Sequence, residues 1–350
     1  MRILINTPCL DLLGGVANHY LGLKDFWSEK VRYNIVGKRS KKGKGIYWLP
    51  WDVVKFIFKL LWFRPNVVLL NPSLGNSALK RDFIFLNIAH LLRFKVAIFF
   101  HGFNLDYANK VNNNWIASNL NKASLLIVLA NQFKNIIMDW GVTTPICLTT
   151  TKVDDKLIEK FDIHARKNFK QHNFLCVTRI EKSKGIYEAL DTFKLIRDKY
   201  SDVTFTLVGD GSELEAAREY TNKQKIEGVR FTGRLDGDNL ISEFEKATFF
   251  LFLSYGEGMP TCVLEAMAFG LPVFTRNVGG LVDFFEQDKM GFISYSLDPK
   301  DFANAIMQYI ENPEKTRKAS LYNYQYAKNH FLASSVAIKL ENILRNAISE

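Results

Sequence analysis

The residues with the clearest chemical potential lie in the second half of the chain. Arg179-x4-Lys184-Gly185 follows the apolar run FLCVTRI and precedes the helix-like stretch IYEALDTFKLIRDKY. An Arg fork and a Lys point charge at the start of a helix can neutralise a diphosphate, because the free N–H groups of the helix add about half a positive charge. The same residues also suit an exposed pair with no ligand. Further on, TFFLFLSYGEGMPTCVLEAMAFGLPV reads as a strand, a loop carrying Glu257, and a helix carrying Glu265. Glu265 sits among Val263, Leu264, Ala266 and Met267. A carboxylate in apolar company needs a partner, either a ligand hydroxyl or a cap or salt bridge within the protein. His101 ends the run KVAIFF, where an imidazole is either a hydrogen-bonded core group or part of a site. Asp236-Gly237-Asp238 resembles a divalent-metal motif, yet its place before a helix predicts an N-cap. Gly209-Asp210-Gly211 lacks the third glycine of a dinucleotide fingerprint and reads as a turn.

These positions need a scaffold, and the alternation of apolar runs with helical stretches supplies one. RILINT, YNIVG, VVLLNPS, KVAIFFHG and SLLIVLA read as strands in the first half; FLCVTRI, VTFTLVGDG, VRFTG, TFFLFLS and LPVFTRN in the second. Near-continuous apolarity predicts burial on both faces, as in a parallel sheet covered by helices. At 350 residues the chain has room for two such domains. The polar stretch Thr149–Lys170 reads as the linker. The expected organisation is α/β, with two doubly wound Rossmann-like domains at 1–165 and 166–328 and a closing helix at 329–350. Hydrophobic residues at 47% and charged residues at 23% exclude a disordered chain. Four scattered cysteines give no disulfide framework or structural zinc site and suit a reducing cytoplasm. MRILINTPCL is too short for a signal-peptide core and reads as a first strand.

Charge separates the halves. Residues 1–165 carry 22 Lys+Arg against 11 Asp+Glu, whereas 166–350 carry 24 against 25, so the net +10 lies wholly in the first half. Lys38, Arg39, Lys41, Lys42 and Lys44 form a dense cluster. Such a field attracts nucleic acid, acidic phospholipid or a phosphorylated substrate, or merely keeps a loop solvated. The adjoining WLPWDVVKFIFKLLWF places Asp52, Lys55 and Lys59 on one helical face. It is too interrupted to span a bilayer; burial against a sheet is favoured over contact with a membrane surface.

Taken in order, Arg179-x4-Lys184-Gly185, LVGDGSE, FTGR, Glu257-x7-Glu265 and GLPVFTRNVGG resemble the retaining glycosyltransferases of family 4, enzymes of the GT-B fold. Gly14-Gly15 after the first strand and His101-Gly102 after a later one agree. The resemblance is strong over 170–295 and looser over 1–150. It implies that Arg179 and Lys184 hold the diphosphate of a nucleotide-sugar donor, with UDP the commonest base. Glu265 would accept the ribose hydroxyls. Glu257, with Gly258, Met259, Pro260 and Thr261 after it, would meet the sugar. Backbone around Arg234 would meet the base, Gly14 and Gly15 would let backbone approach the phosphates or acceptor, and His101 would lie near the reacting sugar. It implies no cofactor, no required metal and no covalent intermediate on either glutamate. The implied acceptor is a glycan or lipid-linked glycan of surface-polysaccharide (lipopolysaccharide or capsule) assembly. The implied location is the cytoplasm, peripheral on the inner face of an anionic membrane. A GT-B enzyme of another reaction, such as an epimerase, and a basic nucleic-acid or membrane binder are the alternative classes. No interleaved aromatic RNA-binding motif accompanies the basic cluster, so nucleic acid is not the expected partner.

Overall fold

The apolar runs form the strands of two parallel sheets in a computed structural model that describes residues 1–12, 14–39, 45–165 and 172–349. The cations Lys41, Lys42 and Lys44 and part of the expected linker lie outside the described residues. The chain divides into two units, Met1–Lys152 together with the helix Ala333–Ser349, and Val153–Leu332.

In the first unit the strands are β1 (Arg2–Thr7), β2 (Lys30–Ile35), β3 (Val67–Leu70), the two-residue β4 (Ser73–Leu74), β5 (Val96–Phe99), the two-residue β6 (Gly102–Phe103), β7 (Leu125–Val128) and β8 (Ile146–Leu148). Six of them build one sheet in the order β2-β1-β3-β5-β7-β8, and β4 pairs with β6 beside it. β3, β5 and β7 are buried along their whole length, as continuous Val, Leu and Ile runs require. In the second unit β9 (Asn173–Val177), β10 (Thr204–Val208), β11 (Val229–Gly233), β12 (Phe249–Phe252), β13 (Val273–Arg276) and β14 (Gly291–Ser294) follow the order β11-β10-β9-β12-β13-β14. Both sheets are parallel, with helices in the crossovers. β8 and β14 are edge strands too short and too mixed to stand out in the sequence.

Strand order decides where a site can form. β9 and β12 are neighbours, but the chain leaves β9 toward β10 and returns to β12 from the far edge. The loops after β9 and β12 therefore diverge and leave a crevice at the carboxyl ends, the topological switch point of an open α/β sheet. In the first unit the same reversal falls between β1 and β3.

The helix Ala333–Ser349 is bound to the first unit by a buried carboxylate. Glu341, 2% exposed, accepts from the backbone N–H of Ser28 at 2.8 Å and of Glu29 at 2.9 Å, and from the Ser28 hydroxyl. Arg345 reaches the Glu29 carboxylate at 2.6 Å. Glu341→Ala would strip three donors of their acceptor. We expect it to lower the stability of the first unit by about 2–3 kcal/mol, read as a lower denaturant midpoint with an unchanged slope.

The helix Leu49–Phe63 packs against the protein along one side only. Asp52, Phe56, Leu60 and Phe63 are buried, whereas the opposite side, Trp51, Val54, Phe58, Leu61 and Trp62, is exposed. The three charged residues share one face but differ in burial. Asp52 is buried, accepting from Gly37 N–H at 2.8 Å and pairing with Arg39. Lys59 donates to Tyr33 O at 2.8 Å, and Lys55 is exposed.

Candidate functional site

At the carboxyl end of the second sheet, two loops 73 residues apart in sequence are joined by a charge pair. Lys184 closes the short turn Lys182–Lys184 after β9, and its Nζ donates to Glu257 Oε1 at 2.6 Å in the loop after β12. The Ser254 hydroxyl donates to the same oxygen at 2.9 Å. Backbone ties the loops together, with Tyr255 N–H on Ser183 O at 3.0 Å. Lys184 and Glu257 are 13% and 18% exposed, partly desolvated yet reachable. One ammonium proton is engaged by Glu257, and the group carries two more donors.

Two glycines set this geometry. Gly185 adopts φ +65°, and a Cβ there would lie 2.0 Å from Leu253 O. Gly279, at φ +53°, packs against the Glu257–Gly258 backbone, where a Cβ would fall 2.2 Å from Gly258 O. Gly280 N–H donates to that same carbonyl at 2.8 Å. Two helices begin in this region, Ile186–Arg197 from Gly185 and Thr261–Ala268 from Pro260, and neither has a side-chain cap. Their amide N–H groups and dipoles favour an anion.

Glu265 lies in the second of these helices, half-buried. Its proximity to the pair shows in Cys262. Burial, then the Glu257 and Glu265 carboxylates, push that thiol well above its usual value, while Lys184 pulls it back. Lys184 and Glu257, joined by their hydrogen bond, form the nucleus of the candidate site, with Glu265 one turn along the helix from Cys262. Gly258 and Met259 bridge to Pro260 and Thr261 at the helix start. Arg179 and Arg234 are held differently. Arg179 is 71% exposed and pairs with Glu181 at 2.8 Å. Arg234, beyond β11, makes a two-pronged pair with Asp236 at 3.1 Å. That pairing corrects the expected cap, since the residue preceding the helix Asp238–Lys246 is Gly237 and no side chain caps it. The glycines of the Gly209-Asp210-Gly211 turn face the β9 loop; a Cβ on Gly209 would fall 1.7 Å from Thr178 O.

The first unit gathers a second polar cluster at its own switch point. Asn71, directly after β3, donates through Nδ2 to Asn6 O at 2.8 Å and Leu69 O at 3.3 Å. Those bonds fix its Oδ1 as an acceptor, which receives the Tyr20 hydroxyl at 2.5 Å. His101 Nε2 lies 3.1 Å from the same oxygen. An acceptor-only oxygen requires Nε2 to carry the proton, so neutral His101 keeps its lone pair on Nδ1. Burial, and then His19, hold the His101 pKa well below the ordinary value. Gly14 and Gly15 begin the helix Gly15–Leu23 that carries His19 and Tyr20. Both glycines are exposed, and a Cβ on either would meet nothing within 4 Å. Among the described residues nothing demands glycine there.

Sequence reading did not single out Ser254, Gly279, Asn71, Tyr20 or His19. Asn71 offered the one usable signal, a polar side chain immediately after a fully apolar strand.

His19 is 3% exposed, both its ring nitrogens lack a hydrogen-bond partner among the described residues, and burial followed by Lys152 lowers its pKa to about 3. Below about pH 6.5 the unfolded chain takes up a proton at this imidazole and the folded chain does not. Stability therefore falls with pH, by about 1.4 kcal/mol per unit, until the folded pKa is reached. We expect His19→Asn to lose about 2 kcal/mol less than the parent between pH 7 and pH 5, measured by denaturant titration at each pH.

Residues 158–326 match the family model described as "Glycosyl transferases group 1". Glycogen synthase of Mycobacterium tuberculosis is 26% identical over 164 residues, 47% of this chain and 40% of that protein. The capsular polysaccharide biosynthesis glycosyltransferase CapM of Staphylococcus aureus is 28% identical over 234 residues, 63% of this chain and 58% of that protein. The matches thus span about half the length of these relatives. Among solved structures, Anabaena HepE in complex with UDP and glucose superposes with a TM-score of 0.73 at 17% identity, covering 99% of this chain and 100% of that one. That is a likeness of fold. The chain is an α/β protein of two Rossmann-like halves with the fold of GT-B glycosyltransferases, and its residues 158–326 are similar to the glycosyl transferases group 1 model.

Proposed function

We propose that this protein is a retaining glycosyltransferase of the family 4 type, a hexosyltransferase that moves a sugar from a UDP-sugar to a glycan or lipid-linked acceptor. The single observation that carries the reading is the Lys184–Glu257 pair between two uncapped helix N-termini, inside the matched domain. HepE, similar in fold, was crystallised with UDP and glucose, which supports UDP as the base. CapM, similar over 63% of the chain, is named for capsular polysaccharide biosynthesis, which supports an acceptor in surface-polysaccharide assembly of the capsule kind; a lipopolysaccharide acceptor is the other form of the same proposal.

On this reading Lys184 turns its two remaining N–H donors to the diphosphate and stabilises the charge that grows as the glycosidic bond breaks. Arg179 leaves Glu181 to join it, at little cost because that pair is exposed. Glu265 accepts the ribose hydroxyls. Glu257, oriented by Lys184 and Ser254, meets the sugar hydroxyls with the Gly258–Thr261 backbone, and Arg234 backbone meets the base. His101, with Asn71 holding its Nε2–H, presents neutral Nδ1 near the reacting sugar, and the Gly14–Gly15 turn admits a ligand against bare backbone. No covalent intermediate forms on Glu257 or Glu265. No metal is required, since fixed cations and helix termini supply the positive charge. The enzyme works in the cytoplasm, peripherally at the membrane that holds its acceptor.

The test is donor hydrolysis across UDP-, GDP- and ADP-sugars, in EDTA and in Mg²⁺, with nucleotide binding measured in the same samples. Turnover of a UDP-sugar that survives EDTA is expected. Turnover only with Mg²⁺ would overturn the metal-free mechanism, and absence of any nucleotide binding would overturn the transferase reading.

A further inference from the structure

The helix Leu49–Phe63 is apolar on two opposite sides, and among the described residues only one of them has a partner. Phe56, Leu60 and Phe63 pack inward. The outward arc of Trp51, Val54, Phe58, Leu61 and Trp62 is 52–64% exposed, and Tyr47 and Trp48 continue it on the preceding turn. Phe58 and Trp62 stack on each other, with ring centroids 6.1 Å apart and planes 17° apart. Apolar patches of this kind on soluble proteins mark contact surfaces.

Cations stand on the patch itself rather than around its rim. The Arg32 guanidinium lies 4.2 Å above the Trp62 ring, and Lys55 Nζ lies 5.2 Å from the Trp51 ring. Arg39 lies 5.6 Å above Trp48, and Lys38 is exposed. Lys55, Arg32 and Arg39 stand close enough to Lys59 to help burial lower its ammonium pKa. The acid that faces them, Asp52, is buried and engaged by Gly37 and Arg39. The surface therefore combines indole and phenyl rings with the charges of Arg32, Lys38 and Lys55, which pair with no acid among the described residues.

We propose that this arc docks on an anionic phospholipid bilayer, with Trp51, Phe58, Leu61 and Trp62 among the headgroups and Arg32 and Lys55 on lipid phosphates. Aromatic side chains with an apolar body settle at the water–lipid boundary, and nearby cations add attraction to acidic lipid. At 15 residues the helix lies along the surface, and among the described residues no helix is long and apolar enough to cross a membrane. A second copy of the chain fits poorly, because pairing of this face would take Arg32 and Lys55 of both copies out of water while the nearby acid, Asp52, is already engaged. The docking does not depend on the donor chemistry, so either can fail alone.

The test is co-sedimentation of the full chain with vesicles of phosphatidylcholine alone and of phosphatidylcholine mixed with phosphatidylglycerol. Binding at least about tenfold tighter to the mixed vesicles is expected, with tryptophan fluorescence quenched by brominated acyl chains. Trp51→Ser with Trp62→Ser, and separately Arg32→Glu with Lys55→Glu, are each expected to weaken binding about tenfold or more, with unchanged thermal unfolding because the side chains are exposed. Equal affinity for both vesicle types, or binding that survives both double substitutions, would overturn the proposal. So would a dimer in solution that the tryptophan substitutions dissolve.

Discussion

Lys184→Ala is expected to lower kcat/KM for the nucleotide-sugar donor by roughly a hundred- to a thousandfold. On the proposed reading two charge-assisted bonds to a diphosphate would be lost, together worth about 3–4 kcal/mol in the transition state. The folded protein should suffer less. Glu257 keeps the Ser254 hydroxyl at 2.9 Å and remains 18% exposed, so water can take the place of the ammonium. Lys184→Arg should recover part of the activity, since it keeps the charge but not the compact point geometry. Glu257→Gln is the informative companion. It releases Lys184 from its partner, so nucleotide affinity should hold or rise while sugar transfer falls. A Lys184→Ala enzyme within threefold of the parent would reduce the pair to a structural bridge between two loops.

Gly185→Ala is expected to destabilise the second unit by about 3–5 kcal/mol, lowering its melting temperature by roughly 6–15 °C. Two costs combine. A left-handed φ of +65° is unfavourable for any residue with a Cβ, and that Cβ would sit 2.0 Å from the Leu253 carbonyl oxygen, which is backbone and cannot rotate away. Leu253 immediately precedes Ser254, so any relaxation moves the hydroxyl that orients Glu257. Donor turnover should therefore fall in whatever fraction stays folded. Gly14→Ala is the control. Its φ of 168° is extended and its Cβ would meet nothing within 4 Å, so melting should not change. A Gly185→Ala protein that melts within a degree of the parent would mean that the helix Ile186–Arg197 can start elsewhere.

The strands were legible where burial on both faces made their residues uniformly apolar. VVLL, VAIF, LLIV and FFLF each became one fully buried strand. β8 and β14 were not, because edge strands need no such run. Lys184, Glu257 and Glu265 were legible because ionisable residues at strand ends and helix starts stand out against an apolar background. Ser254 and Asn71 escaped notice because a small polar residue after a strand is ordinary; what distinguishes them is a partner far away in the chain. The helix Leu49–Phe63 stayed open between burial and a membrane surface for a related reason: the wheel cannot tell which of two apolar sides has a neighbour.

By itself the sequence determined an α/β chain of two halves, the loops that hold the charged residues, and the imbalance that puts all net positive charge before residue 166. These are local properties, set by the period of apolar residues and by composition. The tertiary structure alone decided which loops meet. Lys184 and Glu257 are partners because β9 and β12 lie side by side although two strands separate them in the chain. Asn71 governs the His101 tautomer because β3 and β5 are adjacent. In a parallel sheet neighbouring carboxyl ends belong to distant segments, so strand order, which no local pattern encodes, is what turns scattered polar residues into a site.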